Sequence, residues 1–196
     1  MCVFWCKAFE SQILVMSKDS LYNDISVRVM PRTIRKGCVT MKFKIIKREP
    51  FSIIGAKRHL SIAEGSSDFE LFWRDVGEDG TLAKLEQLAD HEIPGIVSAV
   101  DNLDEEAETM DVWLGRTVKK SSGDLEHIDY PALQWLVLEV RGPAMSSMMP
   151  AWEEARNNII PSNHFKLADY PAFEAYISSD LNAEDGVNEI WFPLED

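Results

Sequence analysis

Glu189 and Trp191 lie two residues apart in the run Val187-Asn-Glu-Ile-Trp-Phe-Pro-Leu194. Alternation along a β-strand sends both side chains to one face. A carboxylate that shares an apolar face with an indole is paired internally, held protonated, or available to a cation. In the last case its chemistry is recognition of a positive charge. Low dielectric strengthens that attraction, and aromatic rings add to it. The tripeptide Asp111-Val112-Trp113 repeats the acid-aliphatic-Trp pattern of Glu189-Ile190-Trp191 earlier in the chain. The residues alone also fit a solvated edge carboxylate, or one neutralised by an internal Arg or Lys.

Other reactive groups are sparse. There is no Ser-centred nucleophile elbow, no Gly-rich phosphate loop and no HExxH pair. The histidines (His59, His91, His127, His164) are isolated, and Cys2, Cys6 and Cys38 all precede residue 41. No metal site, cofactor or disulfide framework is therefore expected in the main part of the chain.

The 196 residues suffice for one ordinary domain with a proper core. The net charge of −13 is uneven: residues 1–40 hold 6 of the 20 Lys+Arg but only 3 of the 33 Asp+Glu. The acidic remainder disfavours nucleic acid and anionic membranes as partners and tolerates cationic or neutral ligands. No apolar run reaches the roughly 18–20 residues of a membrane span. The N-terminal stretch lacks the plan of a signal peptide. A cytoplasmic protein is expected, with 1–40 a weakly structured extension and 41–196 the domain.

The elements that must position the acid follow from Met41. Phe43–Ile46 and Phe51–Ala56 read as strands of a hairpin around Glu49-Pro50. Ser66-Ser-Asp68 offers N-cap chemistry, and Phe69, Phe72, Trp73 and Val76 fit one helical face. Gly77 and Gly80 interrupt this helix before Leu82, Leu85 and Leu88 resume the period. Strands are expected at Ile96–Val100 and Met110–Val118, joined by the acidic loop 101–108. A second copy starts with Leu133–Val140. Its helix carries Met148, Met149, Trp152, Ala155 and Ile159, and Pro150 places its start near Ser146 or Ser147. Phe173–Ile177 and Val187–Leu194 close it. The predicted fold is α+β: a duplicated β-α-β-β module, with helices on one side of a curved antiparallel sheet and a central ligand cleft.

Several runs carry a family likeness. Tyr130-Pro-Ala-Leu-Gln-Trp135-Leu-Val-Leu, Trp152 on the next helix, Tyr170-Pro-Ala-Phe-Glu174-Ala-Tyr176, and Glu189-Ile-Trp-Phe-Pro193-Leu resemble the GyrI-like small-molecule-binding domain. This is the effector-binding domain of AraC-type and MerR-type multidrug-responsive regulators, and it also occurs alone. The likeness spans about Met41 to Asp196. It implies the same duplicated module and a buried glutamate four residues before a proline on the last strand, a position matched by Glu189 and Pro193. It also implies a stand-alone sensor or sequestering domain, since residues 1–40 show no helix-turn-helix pair.

The ligand-binding candidates are then Glu189, Trp191, Trp113, Tyr176, Trp135, Trp152 and Phe173. Phe173 and Tyr176 have opposite parity on their strand, so only one can face the cleft. Tyr176 is favoured by the likeness and shares parity with Glu174, which on its own reads equally as a surface or pairing residue. The expected ligand is cationic or amphipathic and aromatic. Two alternatives remain. One is hydrolysis of strained electrophilic small molecules, with Glu189 and Tyr176 as the catalytic residues. The other is a protein-inhibitor role, in which the acidic residues Glu105, Glu106, Glu108 and Asp111 engage a basic partner.

Overall fold

The computed structural model describes residues 41–61, 66–90, 92–104, 106–119 and 126–195. The expected extension 1–40 lies outside them. The elements run β1 (Lys42–Arg48), β2 (Phe51–Ser61), α1 (Ser66–Glu78), α2 (Thr81–Glu86), β3 (Ile96–Asp104) and β4 (Thr109–Val118). They continue with β5 (His127–Tyr130), β6 (Leu133–Arg141), α3 (Ala144–Glu154), β7 (Phe173–Tyr176) and β8 (Val187–Leu194). This is the expected α+β architecture.

All eight strands form one antiparallel sheet in the order β1-β6-β8-β7-β3-β4-β2-β5. The order exposes the duplication. Advancing each strand of the first half by four gives its counterpart in the second, and this exchange reverses the order onto itself. A pseudo-two-fold axis therefore passes through the seam between β3 and β7.

The expected hairpin around Glu49-Pro50 does not form. β1 crosses to pair with β6, and β5 crosses back to pair with β2. A two-residue hairpin needs left-handed backbone at the turn, usually from Gly or Asn. Here the connections are Glu49-Pro50 and Pro131-Ala132. Proline holds its predecessor extended, so the chain runs on into the other half instead of folding back. Strand β5 was not foreseen. β3 also runs on to Asp104, into the expected acidic loop, with a register shift between Asp101 and Asp104.

The sheet curls tightly. Phe51 on β2 and Trp135 on β6 have ring centroids 5.7 Å apart, yet five strand spacings separate β2 from β6. On a flat sheet that would be about 24 Å. The concave face is therefore closed on itself around Phe51, Trp113, Tyr130, Trp135, Phe173 and Trp191. Gly55 faces Gly115 across β2 and β4, where the backbones are pressed together. A Cβ on Gly115 would lie 2.0 Å from the Ile54 carbonyl oxygen.

The helices cover the other face. Phe72 and Val76 of α1 bury against Leu60, Met110, Val112 and Leu114. Met148, Ala151, Trp152 and Ala155 bury against Leu136, Leu138, Ile190 and Phe192. α3 starts at Ala144, earlier than expected, because loop contacts anchor its first turn: Gly142 N donates to Gly186 O (2.9 Å) and Ala144 N to Leu181 O (2.7 Å). After Glu154 the helix widens into a π-helical stretch, Ala155–Ile159, before the last turn Ile160–Ser162. Pro161 would clash with the carbonyl four residues back in a regular helix, and the wider turn accommodates it. No helix among the described residues is long and apolar enough to cross a membrane.

Candidate ligand-binding site

The two helical covers sit over their own halves, α1 and α2 on β2 and β4, α3 on β6 and β8. The seam strands β3 and β7 lie between them. On the helix face of this seam the register places Ile190, Glu174, Ser98 and Leu114 side by side. Glu174 is therefore a carboxylate in an otherwise largely apolar row, and it is 6% exposed.

Its partners are neutral. Trp152 Nε1, from α3, donates to one carboxylate oxygen at 2.7 Å. The Tyr176 hydroxyl, two residues along the same strand, donates a short bond to the other. Among the described residues, no ion pair involves Glu174. Burial raises its pKa above the ordinary carboxylate value, and the bonds from Tyr176 and Trp152 offset only part of that. Removing a charge from water is costly, and two neutral donors do not replace a counter-ion. Burial at this position thus shifts Glu174 towards its protonated form.

Aromatic rings frame this acid from both helices. Trp73 of α1 meets the Tyr176 ring at 5.0 Å and 82°. Trp152 packs edge-on against Phe192 at 4.7 Å. The Arg156 guanidinium lies over the Trp152 indole, 4.9 Å from its centroid, and burial lowers its pKa. Trp73 and Tyr176 are half-buried, so this part of the seam keeps an opening to solvent. Asn188, cross-strand from Tyr176, is buried and its Oδ1 has no hydrogen-bond partner among the described residues.

The sequence candidates divide between two faces. Tyr176 and Trp152 converge at the seam. Glu189, Trp191, Trp113, Trp135 and Phe173 lie on the opposite, concave face, and the four aromatics are core: Phe173 stacks on Trp191 at 5.4 Å, and Trp135 meets both. Glu189 shares a face with Trp191, as alternation requires, and accepts from its Nε1 at 3.0 Å. The expectation that it lacks an internal counter-ion is corrected, because Lys44 on β1 pairs with it at 3.1 Å. The crossing of β1 onto β6 delivers that lysine. Asp111, the repeat partner of Glu189, is likewise engaged. Asn102 (2.9 Å) and His59 (2.8 Å) bond it, and with Lys57 they hold its pKa below the ordinary value despite burial.

Sequence reasoning left Glu174 open between surface and pairing. The usable signal was parity: Glu174 and Tyr176 share a face, and Tyr176 was already placed in the cleft.

The sequence profile of the GyrI-like small molecule binding domain matches residues 41–195. The chain belongs to this family. Among solved structures, the GyrI-like domain is similar to SAV2435 bound to tetraphenylphosphonium, with 19% identity over 79% of this chain and 94% of that one and a TM-score of 0.66. It is also similar to a Staphylococcus aureus MU50 protein described as a bacterial transcription regulation protein (20%, 80% and 99%, 0.64). The EcmrR C-terminal domain is a third (14%, 81% and 99%, 0.55). At these identities the likeness establishes the fold alone. No curated protein matches the chain.

Proposed function

We propose that this GyrI-like domain is a cytoplasmic, stand-alone sensor or sequestering module for cationic or amphipathic aromatic compounds. We further propose that Glu174, rather than Glu189, meets the positive charge. One observation carries the reading: Glu174 is a buried carboxylate at the seam, held among the described residues by two neutral donors and by no cation. An arriving cation supplies the missing counter-charge, and the acid releases its proton as the cation binds. Tyr176, Trp73 and Trp152 offer the aromatic surface, each contact contributing about 0.5–2 kcal/mol where a cation lies over a ring. The tetraphenylphosphonium bound to the similar SAV2435 is a cation of this kind.

The test is a fluorescence or calorimetric titration with tetraphenylphosphonium. Glu174→Gln keeps the shape and removes the charge. It should weaken binding by about 1.5–3 kcal/mol, the scale of a hydrogen bond to a charged group, with the melting temperature kept or raised.

The Glu174–Tyr176 pair also favours a second reading, hydrolysis of a strained electrophile. Ionised Glu174 would take a proton from water, whose oxygen bonds to the electrophilic carbon. The strained bond breaks, and its electrons take up a proton from Tyr176. A product heavier by one water in mass spectrometry, absent with Glu174→Gln, identifies turnover. Recovery of unchanged ligand identifies a binder.

A further inference from the structure

The duplication makes Trp73 and Trp152 counterparts, one on each helix. Their indole N–H groups meet different fates. Trp152 Nε1 donates to Glu174. Trp73 Nε1 is buried and has no acceptor among the described residues. The sheet explains the difference. Ile190 pairs with Glu174, and its repeat equivalent Val112 pairs with Val100. Val100 therefore stands where the second half has its acid. One half of the seam supplies an acceptor for its tryptophan, and the other supplies a methyl surface.

Trp113 and Trp135 also carry buried indole nitrogens without partners, but both side chains are sealed in the concave core. Trp73 differs, because its side chain remains partly open to solvent and its ring rests against Tyr176, the donor to Glu174. An unsatisfied buried N–H is unfavourable unless another molecule completes it. We infer that the ligand is oriented across the seam: its positive charge lies at Glu174, and a hydrogen-bond acceptor, such as a carbonyl or ether oxygen, receives the Trp73 N–H. This deepens the proposed function and rests on its placement of the charge at Glu174. A purely hydrocarbon cation satisfies only one half of the site.

A matched pair of probes tests it. Tetraphenylphosphonium has no acceptor, whereas (acetylphenyl)triphenylphosphonium, in its meta and para isomers, adds one carbonyl to the same cation. The native domain should bind at least one acetyl isomer about three- to tenfold more tightly, the range of one net hydrogen bond. Trp73→Phe keeps an aromatic ring without the N–H; it should abolish that preference, bringing the acetyl probes and tetraphenylphosphonium to equal affinity, and any weakened ring contact with the cation is shared by all the probes. The ratio of the two probes within one variant does not depend on its stability. Equal affinities of all three probes for the native domain, or equal weakening of all by Trp73→Phe, overturns the inference. Glu174→Gln separates the two levels. If it weakens every probe while Trp73→Phe leaves the ratio of acetyl probe to tetraphenylphosphonium at its native value, the charge site stands and the oriented ligand falls. If it leaves tetraphenylphosphonium unaffected, or if no probe binds the native domain, the charge site fails and the orientation with it.

Discussion

Two glutamates two strand positions from an aromatic partner behave oppositely because of what stands across from them. Glu189 faces the rim of the curl and is met by Lys44, a half-exposed cation. A pair of that kind contributes about 0–1 kcal/mol. Lys44→Met should therefore cost less than about 1 kcal/mol in a denaturant melt and leave cation binding within twofold. A large gain in cation affinity, from a carboxylate left without its lysine, would restore Glu189 as the ligand's partner. Glu174 has no such cation among the described residues, and its pKa is raised by burial. The neutral form's contribution to stability is complete below the ordinary carboxylate range and is lost as pH rises through the raised folded-state value. The empty domain should thus lose stability on going from mildly acidic towards alkaline pH, and Glu174→Gln should flatten that slope in pH-dependent thermal melts. Cation affinity should move the other way, rising with pH, because binding requires the ionised acid. Alternation along β8 was enough to place Glu189 beside Trp191. It does not reveal which face the helices cover, and Glu189 and Trp191 lie on the face opposite them.

At the level of elements, the strands other than β5 were legible because apolar residues bounded by turn signals mark them. The partners of β1 and β5 were not. Crossing to the opposite half depends on what Glu49-Pro50 and Pro131-Ala132 cannot do as hairpin turns, and on edges offered by strands distant in sequence. The start of α3 was read from Pro150, whereas backbone bonds to Leu181 and Gly186 set it. The glycine pair tests the curl. Gly115→Ala would drive a methyl group into the Ile54 carbonyl. It should destabilise the domain by about 1–3 kcal/mol, the range for overpacking, seen as a lower urea midpoint at unchanged slope. An unaltered midpoint would mean that the strands can separate there at little cost.

Across the whole molecule, the duplication builds a near-symmetric frame and then departs from symmetry at one point. Both halves carry a helix with a tryptophan leaning towards the seam, and only the second supplies an acid there. The repeat was visible in the sequence, most clearly in Asp111-Val-Trp113 and Glu189-Ile-Trp191, and it pointed to the place where the halves meet. The asymmetry was harder to see, because Glu174 and Val100 become equivalent only once the strand register is known. The most direct measurement is a calorimetric titration of tetraphenylphosphonium into native and Glu174→Gln protein in two buffers of different ionisation enthalpy, at mildly acidic pH. For the native domain, proton release should accompany binding. For Glu174→Gln, affinity should fall by about 1.5–3 kcal/mol and the proton release should vanish. Equal affinity and equal proton release in both proteins would contradict the assignment of Glu174 as the residue that meets the cation.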